Sequence, residues 1–175
     1  MAASVLVAYA TKYGSTGEVA VAVAETLRAK GITVEVRRAK EVRSLDGYAA
    51  VVLGAPLYVG NLLGEARKFL DRHRAALERL PVAVFALGPL SPGKEMDETR
   101  PQLTAALEKA PWLHPVAVEL FVGSYDPAKL RFPFTLLATM KASPLYGVGA
   151  KDERDWEAIR AWAETLPGAL RLVDA

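Results

Sequence analysis

The chain has 175 residues, 51% of them hydrophobic and 24% charged, which suits one domain with a packed core and excludes extended disorder. It carries no cysteine and only the histidines His73 and His114, which excludes disulfides, thiolate metal sites, cysteine nucleophiles and a multi-histidine metal centre. Its 22 basic and 20 acidic residues leave a net charge of +2, too balanced for a nucleic-acid partner.

Apolar runs then alternate with helical patterns. Ser4–Tyr9 predicts a buried strand, and Val19, Val23, Ala24 and Leu27 recur at helical spacing up to Gly31, a glycine placed to close the helix. Residues 32–36 alternate as an edge strand does, and a short helix around 41–45 is expected next. Residues 48–54 are a second continuous apolar strand. A helix over 64–79 sets Ala66, Phe69, Leu70, Leu77 and Leu80 on one side, and 81–87 reads as another buried strand. A helix over 101–110 takes Pro101 in its first turn, where the missing N–H costs little. The fifth strand is 116–122. The last helix is expected to open at Asp152, with Asp155 three residues on in a capping arrangement, and to carry Trp156, Ile159, Ala163 and Leu166.

Five apolar strands separated by helices imply a parallel sheet covered on both faces. The polar second strand belongs at an edge, which fits the order 2-1-3-4-5 and puts a ligand at the carboxyl ends of strands one and three. The expectation is a single domain over 1–175, an α/β three-layer sandwich with a five-stranded parallel sheet and helices on both faces. No repeat, low-complexity tract or linker interrupts it, but 126–151 is a long connection between strand five and the last helix. The start, Met-Ala-Ala-Ser, lacks the basic and apolar regions of a signal peptide, and no stretch approaches the ~20 apolar residues that cross a bilayer. A cytoplasmic protein is expected.

Three loops at the carboxyl ends carry the chemistry. Strand one leads into Thr11-Lys12-Tyr13-Gly14-Ser15-Thr16, with hydroxyls at 11, 13, 15 and 16 around one glycine. At a helix start the backbone N–H groups and the dipole favour an anion, and hydroxyls add uncharged donors, so this loop predicts a phosphate site. The alternative is a plain strand-to-helix turn in which one hydroxyl caps the helix. The Gly-Lys-Ser/Thr ending of a P-loop and the Gly-x-Gly-x-x-Gly of a dinucleotide fold are both absent, which leaves a mononucleotide. Strand three ends in Gly54-Ala55-Pro56-Leu57-Tyr58-Val59-Gly60, read as a rigid turn that holds Leu57 and Tyr58 out over the sheet edge, where they suit a planar ring. Strand four ends in Leu87-Gly88-Pro89, whose backbone can face the polar edge of the same ring.

These loops resemble the three FMN-binding loops of flavodoxin-like proteins, and the resemblance covers essentially the whole chain. Phe121-Val122-Gly123, the loop through Met140-Lys141 and Asp152-Glu153-Arg154-Asp155-Trp156 look like the branch that contains the menaquinone-dependent protoporphyrinogen IX dehydrogenases. The resemblance implies a flavodoxin-like sandwich and non-covalently bound FMN. Thr11, Lys12, Tyr13, Gly14, Ser15 and Thr16 would hold its phosphate, Pro56, Leu57, Tyr58, Val59 and Gly60 would border the ring, and Leu87, Gly88 and Pro89 would close the other side. Two residues depart from the pattern: Tyr13 stands where flavodoxins usually carry a small hydroxyl residue, and Lys12 adds a cation.

A shuttling flavodoxin is usually acidic, since steering onto basic partners needs a field of one sign. This chain is slightly basic. Residues 127–151 hold Lys129, Arg131, Lys141 and Lys151, no acidic residue, and Leu130, Phe132, Phe134, Leu136, Leu137, Met140, Leu145 and Tyr146. Cations among apolar residues suit an acidic hydrophobic substrate, a quinone, or peripheral contact with the inner face of the membrane. The alternative is a short core helix with solvated lysines. The expected function is an FMN-dependent oxidoreductase acting with a quinone. The alternatives are an electron-transfer flavodoxin serving redox partner proteins and a binding domain without FMN. No metal and no general base is assigned: neither histidine falls in the three loops.

Overall fold

The computed structural model describes residues 4–88, 92–125, 127–129, 136, 139–142 and 149–172. Strand β1 (Ser4–Tyr9) leads into helix α1 (Ser15–Ala29), then β2 (Thr33–Arg38), a 3₁₀ turn at Ala39–Glu41 and β3 (Tyr48–Tyr58). A two-residue β4 (Asn61–Leu62) follows, then helices α2 (Gly64–Arg72) and α3 (Arg74–Leu77), β5 (Val82–Leu87) and α4 (Lys94–Glu108). Strand β6 (Ala117–Phe121), the short β7 (Ser124–Tyr125) and β8 (Lys151–Asp152), and helix α5 (Trp156–Ala169) complete the described elements.

Five strands lie in the order β2-β1-β3-β5-β6, all parallel, and β4 pairs antiparallel with the end of β3. This is the flavodoxin-like order expected from the apolar runs. Alternation along the central strands splits the core into two layers. Val5, Val7, Val52 and Phe85 pack with α1 and α5, through Val19, Val23, Leu27, Ile159 and Leu166. Leu6, Leu53 and Val84 pack with Phe69, Leu70 and Leu77 on the other face. Trp162 meets Phe85 and Phe121 edge-on, with ring centroids 6.0 and 5.7 Å away, as suits a core anchor. Gly31 closes α1 at φ 83°, donating to the Arg28 carbonyl at 2.9 Å.

Four expectations are corrected. Helix α4 begins at Lys94, so Pro101 sits inside it rather than in its first turn. The predicted 64–79 helix breaks at His73 into α2 and α3. The short helix near 41–45 is the 3₁₀ turn at Ala39–Glu41. The last helix begins at Trp156, capped by Asp155, whose Oδ1 accepts from the Ala158 N–H at 2.9 Å. Asp152 belongs instead to β8.

Candidate functional site at the carboxyl edge

Parallel register brings the three predicted loops to one edge of the sheet. Tyr9 stands beside Gly54, Pro56 beside Leu87, and Leu87 beside Phe121. Two backbone bonds continue the ladder past the strand ends, Ala10 N to Gly54 O at 2.9 Å and Gly88 N to Phe121 O at 3.3 Å.

The Thr11–Thr16 loop turns from β1 into α1 through Gly14, whose φ of 95° is left-handed and whose Cα faces open space. The Gly14 N–H donates to Thr11 Oγ1 at 2.8 Å, closing the loop and leaving the Thr11 hydroxyl proton free to donate elsewhere. Gly14 itself is the N-cap of α1 and supplies no side-chain cap. The first amides of the helix therefore have no intrahelical acceptor. Thr11, Tyr13 and Ser15 are half-buried, Thr16 is buried, and Lys12 and Gly14 are exposed. Lys12 Nζ lies 5.8 Å from the centroid of the Tyr13 ring.

Two arginines that the sequence reading did not single out as site residues grip this loop. Arg38, at the end of β2, donates to the Thr11 carbonyl at 2.9 Å and to both oxygens of Glu65 at 3.1 and 3.2 Å. Arg154 donates to the Ser15 carbonyl at 3.2 Å, to Glu18 at 2.6 Å, and to both oxygens of Asp152 at 2.8 and 2.7 Å. Position at the carboxyl end of the edge strand was the available signal for Arg38. For Arg154 it was an arginine set between acids just ahead of a helix.

The stretch read as a rigid turn after Gly54 is strand. β3 runs through Pro56 to Tyr58 and folds back into β4, pairing Leu57 with Leu62 and Tyr58 with Asn61. Pro56 is tolerated because amides alternate sides along a strand. Gly54 faces β1, so Pro56 faces the same side just past the end of β1, where its carbonyl accepts from the Leu63 N–H at 3.1 Å and the Leu63 carbonyl, taken by the Ala66 and Arg67 amides of α2, needs no donor from Pro56. Leu57 points into the core with Ala10, Ala55, Leu62 and Ala66, not out over the edge. The exposed residues are Tyr58 and Val59, 39% and 97% accessible. Val59 and Gly60 form the two-residue turn, both with positive φ, 47° and 72°. That is the sign pattern of a type I′ hairpin, in which a β-branched residue is an outlier.

Burial on its inner side, and then the neighbouring Tyr13 phenol, push the Tyr58 hydroxyl up to about 12. Tyr58 therefore keeps its proton at neutral pH and acts there as a hydrogen-bond donor. Leu87 is core, and a Cβ on Gly88 would meet Thr99 Cγ2 at 3.0 Å, a close approach of the chain to α4 that a side chain there would press upon. Pro89 lies outside the described residues, as do Leu130, Arg131, Phe132, Phe134, Leu137, Leu145 and Tyr146 of the basic apolar segment. Of that segment's described residues, Leu136 and Met140 are 54% and 47% accessible. His73 is buried, with Nε2 3.2 Å from the Val42 carbonyl, and His114 is exposed at the amino edge, ahead of β6.

A family model described as a flavodoxin domain matches residues 6–138. The chain belongs to the flavodoxin domain family. Proteins of this fold family bind flavin. Protoporphyrinogen IX dehydrogenase [quinone] of Escherichia coli strain K12 is 24% identical over 173 residues, covering 92% of this chain and 93% of that protein. An NAD(P)H dehydrogenase (quinone) of Azorhizobium caulinodans is 33% identical over 92 residues, 40% of this chain and 46% of that protein. Among solved structures, a short-chain flavodoxin associated with a non-canonical PDU bacterial microcompartment superposes with TM-score 0.57 at 18% identity, covering 99% of both chains. The flavodoxin of Streptococcus pneumonia TIGR4 also gives TM-score 0.57, at 19% identity over 95% of this chain and 99% of that one. These structural likenesses carry the fold.

Proposed function

We propose that this flavodoxin domain is an FMN-dependent oxidoreductase that oxidises an acidic, hydrophobic tetrapyrrole of the porphyrinogen type and passes the electrons to a quinone. The observation that carries the cofactor half is the Thr11–Thr16 loop, with its open left-handed Gly14 and its carbonyls held from outside by Arg38 and Arg154. A donor set of hydroxyls and helix-start amides fits a phosphate monoester, and Lys12 adds a cation beside it. Thr11, Lys12, Tyr13, Gly14, Ser15 and Thr16 would hold the phosphate of FMN. Pro56, Tyr58, Val59 and Gly60 would border the ring from the β3–β4 hairpin, with Tyr58 and Val59 supplying the exposed contacts and the buried Leu57 facing it only through its backbone. Leu87, Gly88 and Pro89 would close the far side. When bound, FMN supplies redox chemistry that no side chain here offers.

The chain's own residues bind and shape. Buried Leu57 and Leu62 anchor the hairpin while its tip stays outside, so Tyr58 and Val59 form an apolar wall that keeps water from a planar ligand. The Tyr58 hydroxyl, protonated at neutral pH, is a donor there and not a base.

The enzyme half is supported by similarity to protoporphyrinogen IX dehydrogenase along nearly the whole of both chains, and by a net charge of +2 where steering onto basic partners would require an acidic surface. The single-domain reading over 1–175 is part of the same proposal. Among the described residues no helix is long and apolar enough to cross a membrane. Contact with a lipid quinone would thus be peripheral, through 127–151, from the cytoplasmic side. The second reading, an electron carrier for redox partner proteins, rests on membership of the flavodoxin domain family. Anaerobic incubation of the FMN-loaded protein with protoporphyrinogen and a menaquinone separates the two. Porphyrin fluorescence that grows only when quinone is present is expected. A flavin-loaded protein that oxidises no porphyrinogen with any quinone would leave the carrier reading.

A further inference from the structure

We propose that Arg154 is the positioning residue that sets the shape of the phosphate cradle, and through it the preference of this site for FMN over the unphosphorylated riboflavin. The proposal rests on the FMN reading above. Arg154 comes from the far end of the chain, 139 residues from the Ser15 carbonyl it binds. The long connection delivers it: β7 and β8 pair Ser124 with Asp152, closing the base of the 126–150 excursion just ahead of α5. Its side chain is only 8% accessible, lies 4.7 Å from the centroid of the Trp156 ring, and bonds Ser15, Glu18 and Asp152 at once.

Charge alone does not explain such a residue. One guanidinium faces two carboxylates, Glu18 and Asp152, so the cluster brings no net positive charge to an anion. What it brings is direction. In a trans peptide the C=O and the next N–H point opposite ways. An N–H of Arg154 on the Ser15 carbonyl therefore fixes the Thr16 N–H pointing away from the arginine, along the free start of α1. Arg38 does the same at the other end, where its bond to the Thr11 carbonyl orients the Lys12 N–H. The two arginines hold the loop by its Thr11 and Ser15 carbonyls and turn the Lys12 and Thr16 amides away from themselves, an orientation set before an anion arrives. Only the planar fork of arginine can reach a carbonyl and two carboxylates together; the ammonium of lysine is a single point.

The test uses the full-length apoprotein, with FMN and riboflavin each titrated by quenching of flavin fluorescence. Wild-type protein is expected to bind FMN more tightly than riboflavin. Arg154→Gln and Arg154→Lys should each lose about tenfold or more in FMN affinity, the scale of one charge-assisted hydrogen bond, with riboflavin affinity nearly unchanged. Equal weakening of both flavins would mean general destabilisation and would overturn the proposal. So would Arg154→Lys keeping the wild-type ratio, which would make charge the whole effect. Should both variants fail to fold, Asp152→Asn removes one partner of the fork at the surface. A smaller fall in the FMN-to-riboflavin ratio is then expected, and an unchanged ratio overturns the proposal. Wild-type protein that does not distinguish the two flavins would instead defeat the FMN reading itself.

Discussion

Replacing Val59 by asparagine should stabilise the protein. Val59 holds φ 47°, a left-handed conformation that costs an L-residue with a branched Cβ about 1–2 kcal/mol. Asparagine visits this region readily and is favoured in two-residue hairpin turns of this kind. The side chain is 97% accessible, so its removal gives up almost no burial to offset the gain. The Asn61 side chain donates to the Val59 carbonyl at 3.1 Å, a backbone contact that the substitution keeps. The net effect is about +1 kcal/mol, which for a domain of this size raises Tm by ~2–4 °C. Thermal unfolding of the apoprotein measures it, with Val59→Ala expected between the two. A Val59→Asn protein that melts at or below the wild-type temperature would refute the strain argument. If the strain is confirmed, a strained and exposed valine at the site edge points to a functional contact, and Val59→Asn should then weaken binding of a planar ligand.

Three further outcomes follow from the packing and the charges. Gly54→Ala would set a Cβ 2.0 Å from Phe85 Cζ, on a ring held between Phe121 and Trp162, so a loss of ~3 kcal/mol or more is expected. Gly54→Ala combined with Phe85→Leu should recover much of that loss in denaturant titrations, and strict additivity of the two would contradict the clash. Burial holds the His73 imidazole below its ordinary value, the Val42 carbonyl acting against this. The unfolded chain takes up that proton near pH ~6.5 while the folded chain stays neutral, so stability should fall as pH drops from about 6.5. His73→Gln should flatten urea midpoints between pH ~7 and ~5.5, and an unaltered slope would show that another group is responsible. Thr11→Val removes the acceptor that closes the loop on the Gly14 N–H and should weaken FMN binding about tenfold in the same quenching titration; unchanged affinity would remove Thr11 from the cradle.

The sheet was legible because its central strands are buried on both faces and read as unbroken apolar runs, with only β2 alternating. The hydroxyl loop was legible because its residues are consecutive. Elements without an apolar signature were not. The first half of α4 faces solvent, so its periodicity begins only at Leu103 and Ala106, and Pro101 looked like a start. Pro56 looked like a turn because sequence does not tell where the neighbouring strand β1 ends. Asp152 and Asp155 are equivalent as caps in sequence, and only the fork of Arg154 decides that Asp152 is occupied and Asp155 free to cap. The grip of Arg38 and Arg154 on the loop joins residues far apart in the chain, so no local pattern records it.

Identification of the cofactor released from the purified protein, with its stoichiometry, tests the central claim most directly. The expected result is a yellow protein that yields close to one FMN per chain on denaturation, and loses it when the Thr11–Thr16 loop is disrupted. A colourless protein that takes up no added FMN would contradict it.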